Sequence, residues 1–212
     1  MRKVILFSII IFILQLGSFV PGAYSQSIKE NFEAGKKAFY SDNFDTANKL
    51  FNPILQMESE DFETSFYKGM IYEIYFDFDR ALSELTNAIN AKPKESETYF
   101  RRGVIYDKKD MPKEAIKDYT KAIDLNDNNV DAYFNRATDY QELKEYEKAI
   151  DDYSDAIELD PVNDIAFYNR GLLYKETGEY EKAIHDFKQA IFIDSIWQSE
   201  LGREIEIMKK GM

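Results

Sequence analysis

Cysteine is absent from the 212 residues, and the chain has one histidine and one tryptophan. Without a thiol it can form no disulfide, carry no lipid on cysteine and offer no thiolate nucleophile, so it must fold on packing alone. The single imidazole, His185, has Glu181 one turn before it, but two ligands do not make a zinc site. His185 is therefore read as a solvated residue of a helix face. Glycine is sparse, with nine residues, and none is arranged as a phosphate-cradling loop. Positive charge is also short: 27 Lys+Arg against 39 Asp+Glu leave a net charge of −12, which argues against nucleic acid or anionic lipid as a partner. The acids Asp151, Asp152 and Asp155 are read as a charged outer helix face rather than a calcium site. Neither catalysis nor a cofactor is expected from this inventory.

The first 25 residues differ in composition from the rest. Arg2 and Lys3 precede the apolar run VILFSIIIFILQL at 4–16, and Gly17, Pro21 and Gly22 are expected to break any helix that follows. Ala23-Tyr24-Ser25 then places small residues three and one positions before Gln26. This is the layout of a secretory signal peptide cleaved after Ser25. Its rival is an uncleaved anchor, because the 17 residues Val4 to Val20 reach the lower limit for crossing a bilayer. Cleavage predicts a periplasmic or secreted protein with no membrane insertion. It removes Arg2 and Lys3 but no acid, deepening the net charge from −12 to −14.

The remainder repeats. YNRGLLYKETGEYEKAIHDFKQAI at 168–191 has near copies in FNRATDYQELKEYEKAIDDYSDAI at 134–157 and FRRGVIYDKKDMPKEAIKDYTKAI at 100–123, each 34 residues before the next. The same step finds FYKGMIYEIYFDFDRALSELTNAI at 66–89 and, more faintly, FEAGKKAFYSDNFDTANKLFNPIL at 32–55. The chain thus reads as five units, 28–61, 62–95, 96–129, 130–163 and 164–197, followed by 198–212. Within a unit, apolar and small residues such as Phe167, Gly171 and Tyr174, then Ala183, Phe187 and Ala190, recur at three and four. Each half-unit is therefore predicted to be a helix with one buried stripe. Turn residues such as Thr177-Gly178-Glu179 reverse the chain between halves, and neighbouring pairs must stack to bury their stripes.

Small residues in register (Gly35, Gly69, Gly103, Ala137, Gly171; Ala47, Ala81, Ala115, Ala149, Ala183; Ala88, Ala122, Ala156, Ala190) and large ones (Tyr72, Tyr106, Tyr140, Tyr174; Phe51, Tyr119, Tyr153, Phe187) carry a resemblance to the tetratricopeptide repeat (TPR) family. Pro93 and Pro161 stand where the family's closing Pro belongs, whereas Ser59, Asp127 and Ser195 depart from it. The resemblance implies an all-α, right-handed superhelical α-solenoid of five helix pairs. The segment 198–212 would serve as a C-terminal capping helix carrying Leu201, Ile205 and Met208 after Trp197. The first unit is atypical: Pro53 is expected to kink or stop its second helix, whereas Pro112 falls where a helix begins and is tolerated.

One correlation is internal to the chain. Lys68, Arg102, Arg136 and Arg170 recur one unit apart, and 16 residues after each comes an acid, Glu84, Asp118, Asp152 and Asp186. In the first unit both are apolar, Ala34 and Leu50, so the base and acid are predicted to pair between the two helices of each unit.

Function follows from the resemblance, which implies that a ligand lies along the concave surface made by the first helices. The residues there are Phe66, Met70, Phe100, Arg101, Val104, Phe134, Asn135, Tyr168, Asn169 and Leu172, with Phe32 and Lys36 in the first unit. They predict a groove for a protein or peptide partner with apolar anchors and basic flanks, because Glu63, Glu97, Asp131, Glu73 and Asp107 form acidic rims. The alternative is that the aromatics fill gaps between adjacent helices. Family members that grip the carboxylate tail of heat-shock chaperones use Lys, Asn, Asn, Lys and Arg over three units. Here only Arg101 fits in one alignment and only Asn135 in another, so that clamp is not expected. The function implied is an adaptor or assembly factor, with a fixed structural subunit of an envelope complex as the alternative.

Overall fold

The computed structural model describes residues 21–211, and every regular element among them is helical. The basic start and the apolar run at 4–16 lie outside the described residues. The described chain forms two compact units that divide between Ala91 and Lys92.

In the first unit, α1 (Pro21–Phe39) and α2 (Phe44–Leu55) form one antiparallel pair, and α3 (Phe62–Ile74) and α4 (Phe78–Ala91) the next. Pro21 and Gly22 are the first described residues of α1. Tyr24 then packs on the core of Ile28, Phe32, Ala47, Phe51, Ile54 and Ile71, its hydroxyl 3.2 Å from Met57 Sδ. Pro53 lies inside α2, which runs two residues past it to Leu55 and ends.

In the second unit, the pairs are α5 (Ser96–Lys108) with α6 (Pro112–Leu125), α7 (Val130–Glu142) with α8 (Tyr146–Leu159), and α9 (Asp164–Glu176) with α10 (Tyr180–Ile193). Local sequence sets the starts. Asn129 and Asn163, one period apart, accept from the amides of Ala132 and Ala166 at 3.1 and 2.9 Å, and Pro112 occupies the first turn of α6. A 3₁₀ turn (Ser195–Trp197) leads into α11 (Gln198–Gly211), where Leu201, Ile205 and Met208 are buried with Phe167, Ala183, Ile184, Phe187 and Ala190. The last pair is therefore covered by a single helix, so its apolar side does not end in water. No described helix is long and apolar enough to cross a membrane.

The register glycines have a specific neighbour. A Cβ on Gly103 would lie 2.7 Å from the Tyr119 ring, and one on Gly171 2.7 Å from the Phe187 ring. The large residue of the second helix thus lies over the glycine of the first, a ring against backbone at Gly35, Gly103 and Gly171 and Leu85 at Gly69. That contact offsets the roughly 1 kcal/mol a helix-interior glycine costs.

Candidate functional site

The predicted ion pairs form in the three units of the C-terminal half. Arg102 donates to both oxygens of Asp118 at 2.7 and 2.8 Å, Arg136 to both of Asp152 at 2.7 Å, and Arg170 to both of Asp186 at 2.7 and 2.9 Å. All three acids are buried, Asp186 to 1% exposure. Burial opposes the Arg170 cation, but the Asp186 carboxylate more than offsets it and raises the guanidinium pKa. Two of these arginines also reach back one repeat: Arg136 Nη1 donates to Thr120 Oγ1 at 3.0 Å and Arg170 Nη1 to Ser154 Oγ at 2.8 Å. Each therefore joins three helices. The fourth predicted pair is not made. Lys68 donates instead to the Met57 carbonyl at 2.5 Å, because its compact ammonium lacks the planar fork that grips a carboxylate with two bonds.

The first-helix aromatics serve two surfaces unequally. Phe100 is only 9% exposed and lies 5.8 Å from the Tyr119 ring, while the half-buried Phe134 lies 5.5 Å from Tyr153 and Tyr168 lies 6.3 Å from Phe187. Tyr168 is further covered by Trp197, stacked at 4.4 Å, whose indole donates to Asp164 at 2.7 Å. In the first unit Phe66 stacks on Phe62 at 5.6 Å, and Met70 packs at the edge of the core. These rings brace each first helix against its surroundings, and Phe100 presents little surface to a ligand.

Beside the rings runs a polar seam in the second unit. Tyr119 donates to Asp107, and Asn135 reaches the Tyr119 hydroxyl at 3.5 Å. Tyr153 lies 3.1 Å from Thr138 and 3.3 Å from Gln141, and Asn169 lies beside its hydroxyl. Asn135 and Asn169 are thus equivalent: each meets the tyrosine hydroxyl of the preceding repeat. Burial raises the pKa of both tyrosines, so both stay neutral donors. Arg101 is tied to Glu97 at 2.6 Å on the exposed side, and Val104 and Leu172 are half-buried. Asp139, also in this seam, was not singled out by motif. The register shows it, because Ile71, Ile105 and Leu173 occupy the same place in sister repeats.

His185 is exposed and sits 3.1 Å from Asp186, a carboxylate already engaged by Arg170, and Asp152 is likewise engaged by Arg136. Among the described residues no three His, Cys, Asp or Glu side chains could hold a metal ion.

An all-α array of stacked helix pairs with interlocking small and ring residues defines a repeat scaffold. Residues 96–129, 130–163 and 165–195 match the tetratricopeptide repeat family model, and the chain carries these repeats in tandem. Among solved structures it is similar to MamA, at 26% identity with a TM-score of 0.68 over 76% of this chain and 94% of that one. A MamA fragment from Desulfovibrio magneticus RS-1 shares the fold at 16% identity and a TM-score of 0.68, covering 80% and 96%. YrrB, described as a TPR protein with an unusual peptide-binding site, does so at 20% identity and 0.65, covering 85% and 98%. No curated protein matches the chain in sequence. TPR scaffolds are protein-interaction modules, and that coarse role holds for this chain.

Proposed function

We propose that the protein is an exported, non-enzymatic adaptor or assembly factor that binds a peptide segment of a partner on the first-helix surface of its C-terminal repeats. The observation that carries this reading is the equivalent placement of Asn135 and Asn169 beside buried tyrosines, with Arg101, Val104 and Leu172 at the same surface. Paired amides one repeat apart, about 8–10 Å, can hold peptide groups about three residues apart in an extended segment, as side-chain amides satisfy backbone donors and acceptors alike. A peptide-binding relative of the same fold, YrrB, lends support. The acids Glu97 and Asp131, on a chain of net charge −12, favour a segment with Lys or Arg beside its apolar anchors. Export rests on Arg2, Lys3, the apolar run at 4–16 and the small residues before Gln26.

The test is a peptide array probed with the full mature chain, varying basic residues around Leu or Phe anchors. Binding should weaken at least about tenfold in the double variant Asn135→Ala with Asn169→Ala, the loss of two or more net hydrogen bonds. Equal binding by variant and wild type would sink the assignment of this surface.

A further inference from the structure

Asp139 occupies a position built for hydrocarbon. Its counterparts Ile71, Ile105 and Leu173 are all buried, the atypical first repeat having the exposed Lys37, and Asp139 itself is only 5% exposed. A lone carboxylate in such a place carries a heavy desolvation penalty. The ionisable or polar groups around it are Asp107 from α5, Tyr119 from α6, Asn135 and Glu142 from α7 and Tyr153 from α8. None of the groups that shift its titration is a cation. Asp107 lies beside it, so two acids meet where charge is least tolerated.

The oxygens fit a shared proton. Asp107 Oδ1 and Asp139 Oδ2 are buried without a partner, whereas Asp107 Oδ2 accepts from Tyr119. Two facing carboxylates have no donor between them. One proton makes one acid a donor and the other an acceptor and removes their repulsion. We propose that Asp107 and Asp139 share a single proton that fastens the third repeat to the fourth, and that losing it makes this junction sensitive to alkaline pH. Once the proton leaves, two carboxylates oppose each other between α5 and α7.

The sign follows from linkage. Burial first, and then the Asp107 charge, push Asp139 up to about 8, and burial raises Asp107 as well. An unfolded aspartate gives up its proton near pH 4, so from about pH 4 to about pH 8 the folded chain binds more protons than the unfolded one. The folded-to-unfolded ratio therefore falls by up to about tenfold per pH unit across that window, and levels off above it.

Thermal unfolding of the full chain between about pH 5 and about pH 9 tests this, comparing wild type with Asp139→Leu, which restores the residue type of the sister repeats. The expected result is a midpoint that falls with pH in wild type relative to Asp139→Leu, so that the two curves diverge through the window. An infrared carboxylic-acid C=O band should be present in native wild type at about pH 7 and missing in Asp139→Leu. If Asp139→Leu fails to fold, Asp139→Asn, which keeps the shape without the proton equilibrium, takes its place in both measurements. Parallel midpoint curves, or no acid band in wild type at that pH, would overturn the proposal.

Discussion

Replacing Arg170 by Leu should cost far more than replacing Arg170 and Asp186 together. The Asp186 side chain is 2% exposed and that of Arg170 15%, so the single change strands a carboxylate where water cannot reach it. Breaking a buried pair from one side costs about 3–5 kcal/mol. The same change also gives up the 2.8 Å bond from Arg170 to Ser154, a net loss of about 1 kcal/mol. In the double variant Arg170→Leu with Asp186→Leu only this second loss persists, because apolar residues of similar volume replace a buried pair at little or no net cost. The double variant is therefore expected within about 1 kcal/mol of wild type. The coupling energy between the two sites should exceed about 2 kcal/mol. Urea unfolding of the four proteins, followed by far-ultraviolet circular dichroism, measures it, and a common slope with denaturant certifies the comparison. Additive losses in the cycle would refute the pairing as a source of stability. They would mean that Asp186 finds another donor, or that the junction admits water.

Two further outcomes rest on separate observations. Gly171→Ala should lower stability by about 1–3 kcal/mol, because its Cβ would lie 2.7 Å from the Phe187 ring. Gly178→Ala, at φ +81° with nothing within 4 Å of the new carbon, should cost only about 1–2 kcal/mol through the backbone alone, and a midpoint shift for Gly178→Ala larger than for Gly171→Ala would contradict this ranking. Intact-mass measurement of the exported chain should give a protein starting at Gln26. It should still fold, since Ile28 and Phe32, not Tyr24, are the deeply buried anchors of α1. Retention of residues 1–25 would turn the segment into an anchor.

The architecture was readable because a period of 34 repeats the same packing problem five times, and each copy supplies a control for the others. The base and acid 16 apart could be read as a pair since both vanish together in the first unit. What that spacing could not convey was reach. Lys68 keeps the charge of its sister arginines but turns to the Met57 carbonyl, and Thr120 and Ser154, which complete the arginine sites, are ordinary surface-type residues in sequence. The ring row was legible as positions but not as exposure. The side of Phe100 that faces Tyr119 and the side open to solvent have the same sequence signature. Asp139 is marked by mismatch rather than by match, since its sister positions hold Ile71, Ile105 and Leu173 in three repeats and Lys37 in the atypical first. The comparison with Ile71, Ile105 and Leu173 was available from the start.

If the rings are chiefly scaffold, then the groove's selectivity lies in the hydroxyls and amides beside them, and the two tyrosines let that be separated from packing. Tyr119→Phe and Tyr153→Phe remove the same atom from equivalent sites and leave each ring over its small first-helix neighbour. The losses should differ. The Tyr119 hydroxyl serves Asp107 beside the buried Asp139, so its removal leaves a carboxyl oxygen without its donor and should cost about 1–3 kcal/mol. The Tyr153 hydroxyl shares Thr138 and Gln141 at 3.1 and 3.3 Å, and Thr138 is exposed, so water can replace it at a cost of about 0–1 kcal/mol. Phe187 already supplies the version without a hydroxyl in the fifth repeat, where it is fully buried. No loss for either Tyr119→Phe or Tyr153→Phe in denaturant unfolding would show that the ring alone matters at both sites, and the polar seam would then carry no structural weight of its own.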